Sequence, residues 1–329
     1  MTKVLSIQRI LLALGILVFL GAAIVGATGA FFSDTETSTG NTFSAGSLDL
    51  KVDSEAHYNG ALCVKNGEEN TNVPGDEYIW DDGSEVGWPV EGTPCVGTFE
   101  ETDLGPLFKF FNLTDVKPGD VGENTISLHV YDNDAWGRFV INGVTDLDNT
   151  CTEPESDPLV PDPECNAVPG TPGAGELAES ISFSAWIDDG QTPGFQGLTD
   201  PGEGDNVQQQ NEQTIITPGP VDAEGETHNI WPALAAYRDY LDLSQACVVT
   251  DPDGNGQTDN DGTPSEDDYL ACQGIAEDGR LVGSTTYYFG LDWNIPTSVG
   301  NEAQTDSLVA DLTFEVEQYR NNPTPFNDN

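Results

Sequence analysis

The sequence predicts an all-β protein: a jelly-roll-like β-sandwich with long disulfide-stapled loops and one short inserted helix. Three observations carry this reading. Apolar and polar residues alternate with a period of two along several segments, Pro-Gly dipeptides punctuate the chain, and six cysteines fall in the stretches between.

Taken in order, Leu48, Leu50 and Val52 alternate with Asp49 and Lys51, and Ile126, Leu128 and Val130 alternate with Ser127 and His129. Ile181, Phe183, Ala185 and Ile187 then alternate with Ser182 and Ser184. Tyr287, Phe289, Leu291 and Trp293 form one further face; Leu308, Ala310, Leu312, Phe314 and Val316 form another, opposite Asp311, Thr313, Glu315 and Glu317. Each pattern is that of a half-buried strand. Further strands are expected near 106–112, 137–144 and 212–217. A helix is expected over 232–243, where Pro232 suits the first turn and Leu234, Tyr237 and Leu241 recur at helical spacing. Pro-Gly stands at 74–75, 118–119, 169–170, 172–173, 193–194, 201–202 and 218–219, a pair suited to the centre of type II turns. The 329 residues fit one domain over 44–320, with loop insertions at 53–104, 145–177 and 188–283, and a C-terminal tail at 321–329.

Charge narrows the function. Ten Lys and Arg stand against 57 Asp and Glu, a net charge of -47, which repels phosphate backbones and anionic lipid and excludes nucleic acid as a partner. Such charge raises the question of disorder, but 37% apolar residues with six Trp and fourteen Phe supply a core. An acidic, lysine-poor shell suits molar salt, where the screening length falls to about 3 Å. A halophilic source is therefore expected; the alternative is an acidic secreted protein that gathers divalent cations.

Residues 1–30 have the layout of a secretory signal: Lys3 and Arg9, the apolar run Ile10 to Val25, then Gly26, Ala27, Thr28, Gly29 and Ala30. Cleavage after Ala30 leaves Phe31 at the mature N-terminus and a secreted or cell-surface protein. An uncleaved anchor is the alternative, and the membrane is a partner only through that segment. Cysteines in an exported chain read as disulfides. The preferred pairing is local, Cys63 with Cys95, Cys151 with Cys165 and Cys247 with Cys272, one of the connectivities that six cysteines allow. No CxxC pair suggests zinc.

Two stretches carry a resemblance. Ala30-Phe31-Phe32-Ser33-Asp34-Thr35-Glu36 with Asn41-Thr42-Phe43-Ser44-Ala45-Gly46-Ser47-Leu48-Asp49-Leu50 resembles the export junction and first strand of the TasA/camelysin family. Phe111-Asn112-Leu113-Thr114-Asp115-Val116-Lys117-Pro118-Gly119-Asp120 is similar to its PGD turn, and Leu312 to Asn321 to its final strand. The matched blocks cover about a third of the chain and leave the cysteine-bearing loops aside. The resemblance implies cleavage by a SipW-type signal peptidase and a jelly-roll subunit that forms biofilm-matrix fibres or archaeal bundling pili. It also implies that the N-terminal stretch of one subunit completes the sheet of the next, a head-to-tail homopolymer. The candidate donor is 31–43, with Phe31, Phe32, Thr35, Thr37 and Phe43 supplying its apolar and β-branched positions. Without the resemblance this segment reads as an N-terminal tail.

Camelysin brings a metalloprotease label, which the residues do not support. His57, His129 and His228 belong to no HExxH motif, and there is no GxSxG elbow. His129 reads as a surface strand residue, and no enzyme is expected. Calcium is the candidate ligand of Asp251, Asp253, Asn255, Gln257, Asp259 and Asp261, oxygen side chains at alternating positions as in the first half of an EF-hand loop. Position twelve of that loop is Gly262 where a bidentate Glu belongs, so a solvated acidic turn stays open. Asp188-Asp189-Gly190 is a second, weaker candidate, and Asp132-Asn133-Asp134 reads as a turn. Asn112-Leu113-Thr114 is a glycosylation sequon at Asn112. The six Trp are scattered as core and loop residues rather than as a carbohydrate platform. The reading is a secreted fibre or pilus subunit; the alternative is a monomeric calcium-binding surface or adhesion module.

Overall fold

The structure, a computed structural model, describes residues 33–37, 48–67, 77–105, 107–153, 155–156, 162, 170–195, 200–221, 225–244 and 272–327. The signal segment, Phe31, Phe32, Phe43, and the 251–261 loop lie outside them, as do Cys165 and Cys247. No helix among the described residues is long and apolar enough to cross a membrane.

The chain is an all-β sandwich of two antiparallel sheets. The larger contains β10 (Thr214–Gly219), β9 (Ser182–Ile187), β12 (Thr285–Asn294), β6 (Val121–Tyr131), β2 (Asp49–Tyr58), β3 (Ala61–Lys65) and β4 (Tyr78–Trp80) in that order, with β5 (Phe99–Thr102) also on β2. The smaller is β1 (Ser33–Thr37), β13 (Ser307–Gln318), β7 (Ala135–Asp148) and β11 (Glu226–Asn229), with β8 (Thr171–Pro172) beside the end of β7. The chain passes from one sheet to the other six times, at β1–β2, β6–β7, β8–β9, β10–β11, β11–β12 and β12–β13. The Asp132–Asp134 turn links β6 to β7, and the segment with the 3-10 turn Asn301–Ala303 links β12 to β13.

The alternation seen in the sequence becomes the core. Leu50 and Val52 on β2, Ile126 and Leu128 on β6, and Tyr287, Phe289 and Leu291 on β12 are fully buried from one side. Phe139 on β7 and Phe314 and Val316 on β13 face them from the other. Phe139 makes the joint, with its ring 5.2 Å from Phe289 and 4.8 Å from Phe314. On β13 a register shift between Val309 and Asp311 breaks the pattern, so Phe314 and Val316 are buried while Ala310 is exposed. A second cluster, Tyr58, Cys63, Trp80, Leu177, Trp293 and Ile295, closes one end.

Two glycines are set by neighbouring tryptophans. Gly122 faces Trp293 across the ladder and Gly290 faces Trp186. A Cβ would stand 2.5 Å from the Trp293 ring at Gly122 and 2.0 Å from the Trp186 ring at Gly290, so each indole lies flat over bare backbone. The Pro-Gly expectation holds at Gly119, Gly170, Gly173, Gly194 and Gly202, all with positive φ; Gly219 instead ends β10.

Several expectations change. Residues 107–112 form no strand. Their consecutive aromatics cover the core edge instead, with Phe110 buried 5.5 Å from Phe99 and 5.9 Å from Phe314. The 53–104 insertion holds the second half of β2 with β3, β4 and β5, strands too short for alternation to stand out. The expected helix is α2 (Trp231–Ser244), burying Leu234, Tyr237 and Leu241 as predicted, but a four-residue helix α1 (Leu177–Ser180) is added. Residues 321–327 pack back on the domain: Asn322 is buried, the Phe326 ring stacks on Trp231, and the Arg138 guanidinium lies 4.2 Å from the Phe326 ring centre. Cys63–Cys95 is bonded as expected, and Cys151 and Cys272 are each disulfide-bonded.

Phe139→Ala is expected to cost about 3–5 kcal/mol in denaturant unfolding, the usual range for a core phenylalanine. Gly290→Ala is expected to cost about 1–3 kcal/mol by overpacking and to perturb the near-ultraviolet circular dichroism of Trp186.

Candidate functional site

Three places gather chemistry. The first is the outer edge of β13. β7 pairs with one side of β13, and β1 pairs antiparallel with the other, from Ser33 opposite Glu317 to Thr37 opposite Thr313. Thr35 lies opposite Glu315. The described part of the expected donor segment, Ser33–Thr37, forms a strand on β13 of its own chain. β1 stands at the end of the sheet order, joined to β2 in the opposite sheet through residues 38–47.

The PGD turn has a structural role beside β2. Asp120 is buried and accepts from the Tyr58 hydroxyl at 2.6 Å, the Lys117 amide at 2.7 Å and the Asn59 side-chain amide at 3.0 Å. Asn59, in the left-handed region at φ 50°, accepts at its Oδ1 from the Val121 amide. This network fixes the turn between β2 and β3 against the start of β6. Nearby Asn112 is exposed, as an acceptor site requires.

The second place is acidic and buried, in the excursion between β9 and β10. Asp188 and Asp189 follow β9 and are 0% exposed; Asn206, Glu203, Glu212 and Asp200 lie at 2%, 4%, 6% and 8%. The chain is held there by backbone donors. Asp188 accepts from the Asn206 amide at 2.8 Å, Asp189 from Gly194 at 3.1 Å, and Asp200 from Thr192 at 2.6 Å. Glu212 accepts from Gly190 at 3.1 Å and Gln209 at 2.7 Å. Gly190, at φ 77°, lets these groups meet, since a Cβ there would stand 2.7 Å from Asp200 Oδ2.

These donors leave oxygens over. Oδ1 of Asp188, Asp189 and Asp200 and both side-chain atoms of Asn206 are buried without a hydrogen-bond partner. No ion pair among the described residues reaches Asp188, Asp189, Asp200 or Glu212; the pairs that Lys and Arg make there are with other acids, among them Lys51 with Glu101, Arg138 with Glu315, Arg238 with Asp242, and Arg280 with Asp134 and Asp278. Burial pushes Asp188 and Asp189 each up to about 7 and Glu212 up to about 8, and the neighbouring acids add to it. An uncompensated buried charge costs several kcal/mol. No group of three His, Cys, Asp or Glu among the described residues already stands in ligating geometry.

The third place lies at the end of β7. Asp146 accepts from the Ala178 amide at the start of α1 at 2.8 Å, and Asp306 from the Glu176 amide at 2.6 Å. Asp148 is buried beside Glu155 and Asp162. Burial raises Asp146, helped by Glu179, and raises Asp306 to about 6, helped by Asp146 and Asp148.

Asp188 and Asp189 are thus brought together with Asp200, Asn206 and Glu212, residues the sequence reading did not single out. The 251–261 calcium candidates lie outside the described residues. His129 sits on the sheet surface between Asp53 and Thr286, as expected. Asp132–Asp134 is a turn. Trp80, Trp186 and Trp293 are buried and form no exposed platform. Comparison of the chain with family models, curated proteins and solved structures finds no match.

The third cluster predicts a pH dependence. A carboxyl whose folded-state pKa is raised holds its proton more tightly when folded, so its contribution is full below the unfolded value and is lost as pH rises through the folded one. For Asp306 the window runs from the ordinary value of about 4 to about 6. In chelator, the melting temperature should fall across that window. Asp306→Asn, which keeps the acceptor for the Glu176 amide, should flatten the fall; an unchanged slope would contradict the assignment.

Proposed function

We propose that the protein is a secreted, non-enzymatic structural subunit of a cell-surface fibre or pilus, polymerising when β1 leaves its own β13 and pairs with that of the next copy. The observation that supports this reading is the antiparallel seat of Ser33–Thr37 on the outer edge of β13. The same backbone hydrogen bonds can form within one chain or between two, so exchange conserves them and is favoured by concentration. An edge strand of five polar residues is inexpensive to open, because each exposed backbone hydrogen bond is worth only about 0.5–1.5 kcal/mol net. Once β1 departs, β13 presents unpaired N–H and C=O groups that favour the incoming strand. The contact joins the N-terminus of one copy to the sheet edge of another, a heterologous arrangement that extends rather than closes. The TasA/camelysin resemblance and SipW-type processing at Ala30 agree with this role.

One observation favours a second reading. β1 is satisfied within its own chain, which suits a monomeric surface module that keeps its N-terminus and uses its acids for calcium.

Negative-stain microscopy in molar salt of the mature chain beginning at Phe31, beside one beginning at Ser44, tests the proposal. Fibres are expected from the first and none from the second. Failure of both to polymerise while folded, with a monomeric elution profile, would favour the surface module.

A further inference from the structure

We propose that the excursion between β9 and β10 is a binding site for one hard divalent cation, calcium in class, held by side-chain oxygens of Asp188, Asp189, Asp200 and Asn206. The proposal concerns a single chain and does not rest on strand exchange.

The argument begins with what the fold leaves unsatisfied. A buried polar atom normally has a partner, yet four oxygens of this one loop layer have none: Oδ1 of Asp188, Asp189, Asp200 and Asn206. All four side chains are more than nine-tenths buried. Their other oxygens or backbones are pinned by main-chain hydrogen bonds, so the loop is held while one oxygen of each acid stays available. The layer is closed in on both sides. The Asp188 amide donates to the Tyr288 carbonyl of β12 at 3.0 Å, and Tyr237 of α2 is a near neighbour of Asp189.

The donor set selects the ligand. It is all oxygen, without His or Cys, which disfavours zinc and suits a hard cation. Three carboxylates and one amide oxygen, with Glu212 beside them, leave further positions to water or backbone carbonyls, as the six to eight ligands of calcium require. Magnesium demands a stricter octahedron than a loop pinned by its main chain offers. As they stand, no three acids among the described residues are placed to hold a metal ion, so the proposed binding requires the unpartnered oxygens to be drawn together by side-chain rotation. A groove lined by Gly190, Gln191, Asn211, Glu212, Tyr237 and Tyr240 borders the excursion at Glu212.

Tyr237 and Trp186 also supply a reporter, since aromatic side chains beside a site sensitise bound terbium. The test uses the full mature chain, stripped with chelator, in molar sodium chloride to screen surface acids. Terbium luminescence with calcium competition, and calcium calorimetry, are read on three proteins: wild type, Asp188→Asn/Asp189→Asn, and the exposed control Glu91→Gln. Wild type and control should show one saturable site per chain, with a dissociation constant in the about 0.1–1 mM range of extracellular modules or tighter. The double variant should bind at least about tenfold more weakly and, without calcium, should melt no lower than wild type, because two buried charges are gone. If the double variant does not fold, Asp200→Asn carries the same comparison. Absence of a saturable site in the wild type overturns the proposal. Saturable binding that survives the double substitution also overturns it, and moves the cation to the 251–261 loop or the surface.

Discussion

The antiparallel ladder between β7 and β13 is the constraint on which the rest of the molecule depends. Its inner face carries Phe139, Phe314 and Val316, which close the core against Phe289 of the opposite sheet. Its polar face carries the Arg138–Glu315 pair. Its two edges are served separately, β7 by β11 and β13 by β1. One strand thus belongs to the core through its side chains and seats β1 through its backbone. Core packing holds β13 in place whether or not β1 is seated on it, so under the proposed strand exchange folding and polymerisation would be separable.

Charge sets the second condition. With so few cations in the chain, the described Lys and Arg pair mainly at the sheet surface and around the Asp278–Arg280 turn. The two buried acidic places must rely on backbone amides. At the PGD turn Asp120 gathers three donors, one backbone amide and the side chains of Tyr58 and Asn59. Between β9 and β10 the amides satisfy only part of each carboxylate, and the remainder is where the proposed cation would compensate. Divalent binding would tie the excursion to α2 and β12 without touching the β13 edge, so cation binding and strand exchange act on different parts of the fold.

The strands of the core were legible because they are long and half-buried. β2, β6, β9, β12 and β13 carry three or more alternations each, and α2 carries its Leu234, Tyr237 and Leu241 stripe. β3, β4 and β5 were not legible, because strands of three to five residues offer too few positions for a period to emerge. Phe108, Phe110 and Phe111 were misread because consecutive aromatics satisfy strand propensity whether or not an edge is free to receive them. At the site, Asp188 and Asp189 were visible through their position after an apolar strand. Asp200, Asn206 and Glu212 were hidden by a composition in which acids stand everywhere, and only burial separates them from the solvated majority. That 31–43 contains a strand could be read only through resemblance, since Ser33–Thr37 has no alternation of its own; its seat on β13 of the same chain was not legible.

The most direct measurement of the central claim is a cysteine cross-link across the β1–β13 register. Thr35→Cys and Glu315→Cys are placed on separate chains, mixed, assembled in molar salt under mild oxidation, and mapped by peptide mass. Because Thr35 lies opposite Glu315, where paired Cβ atoms approach to about 4.5–5.5 Å, the account predicts a disulfide joining the two chains within fibres. A link that forms only when both substitutions are on one chain, or at no position along β13, would contradict it.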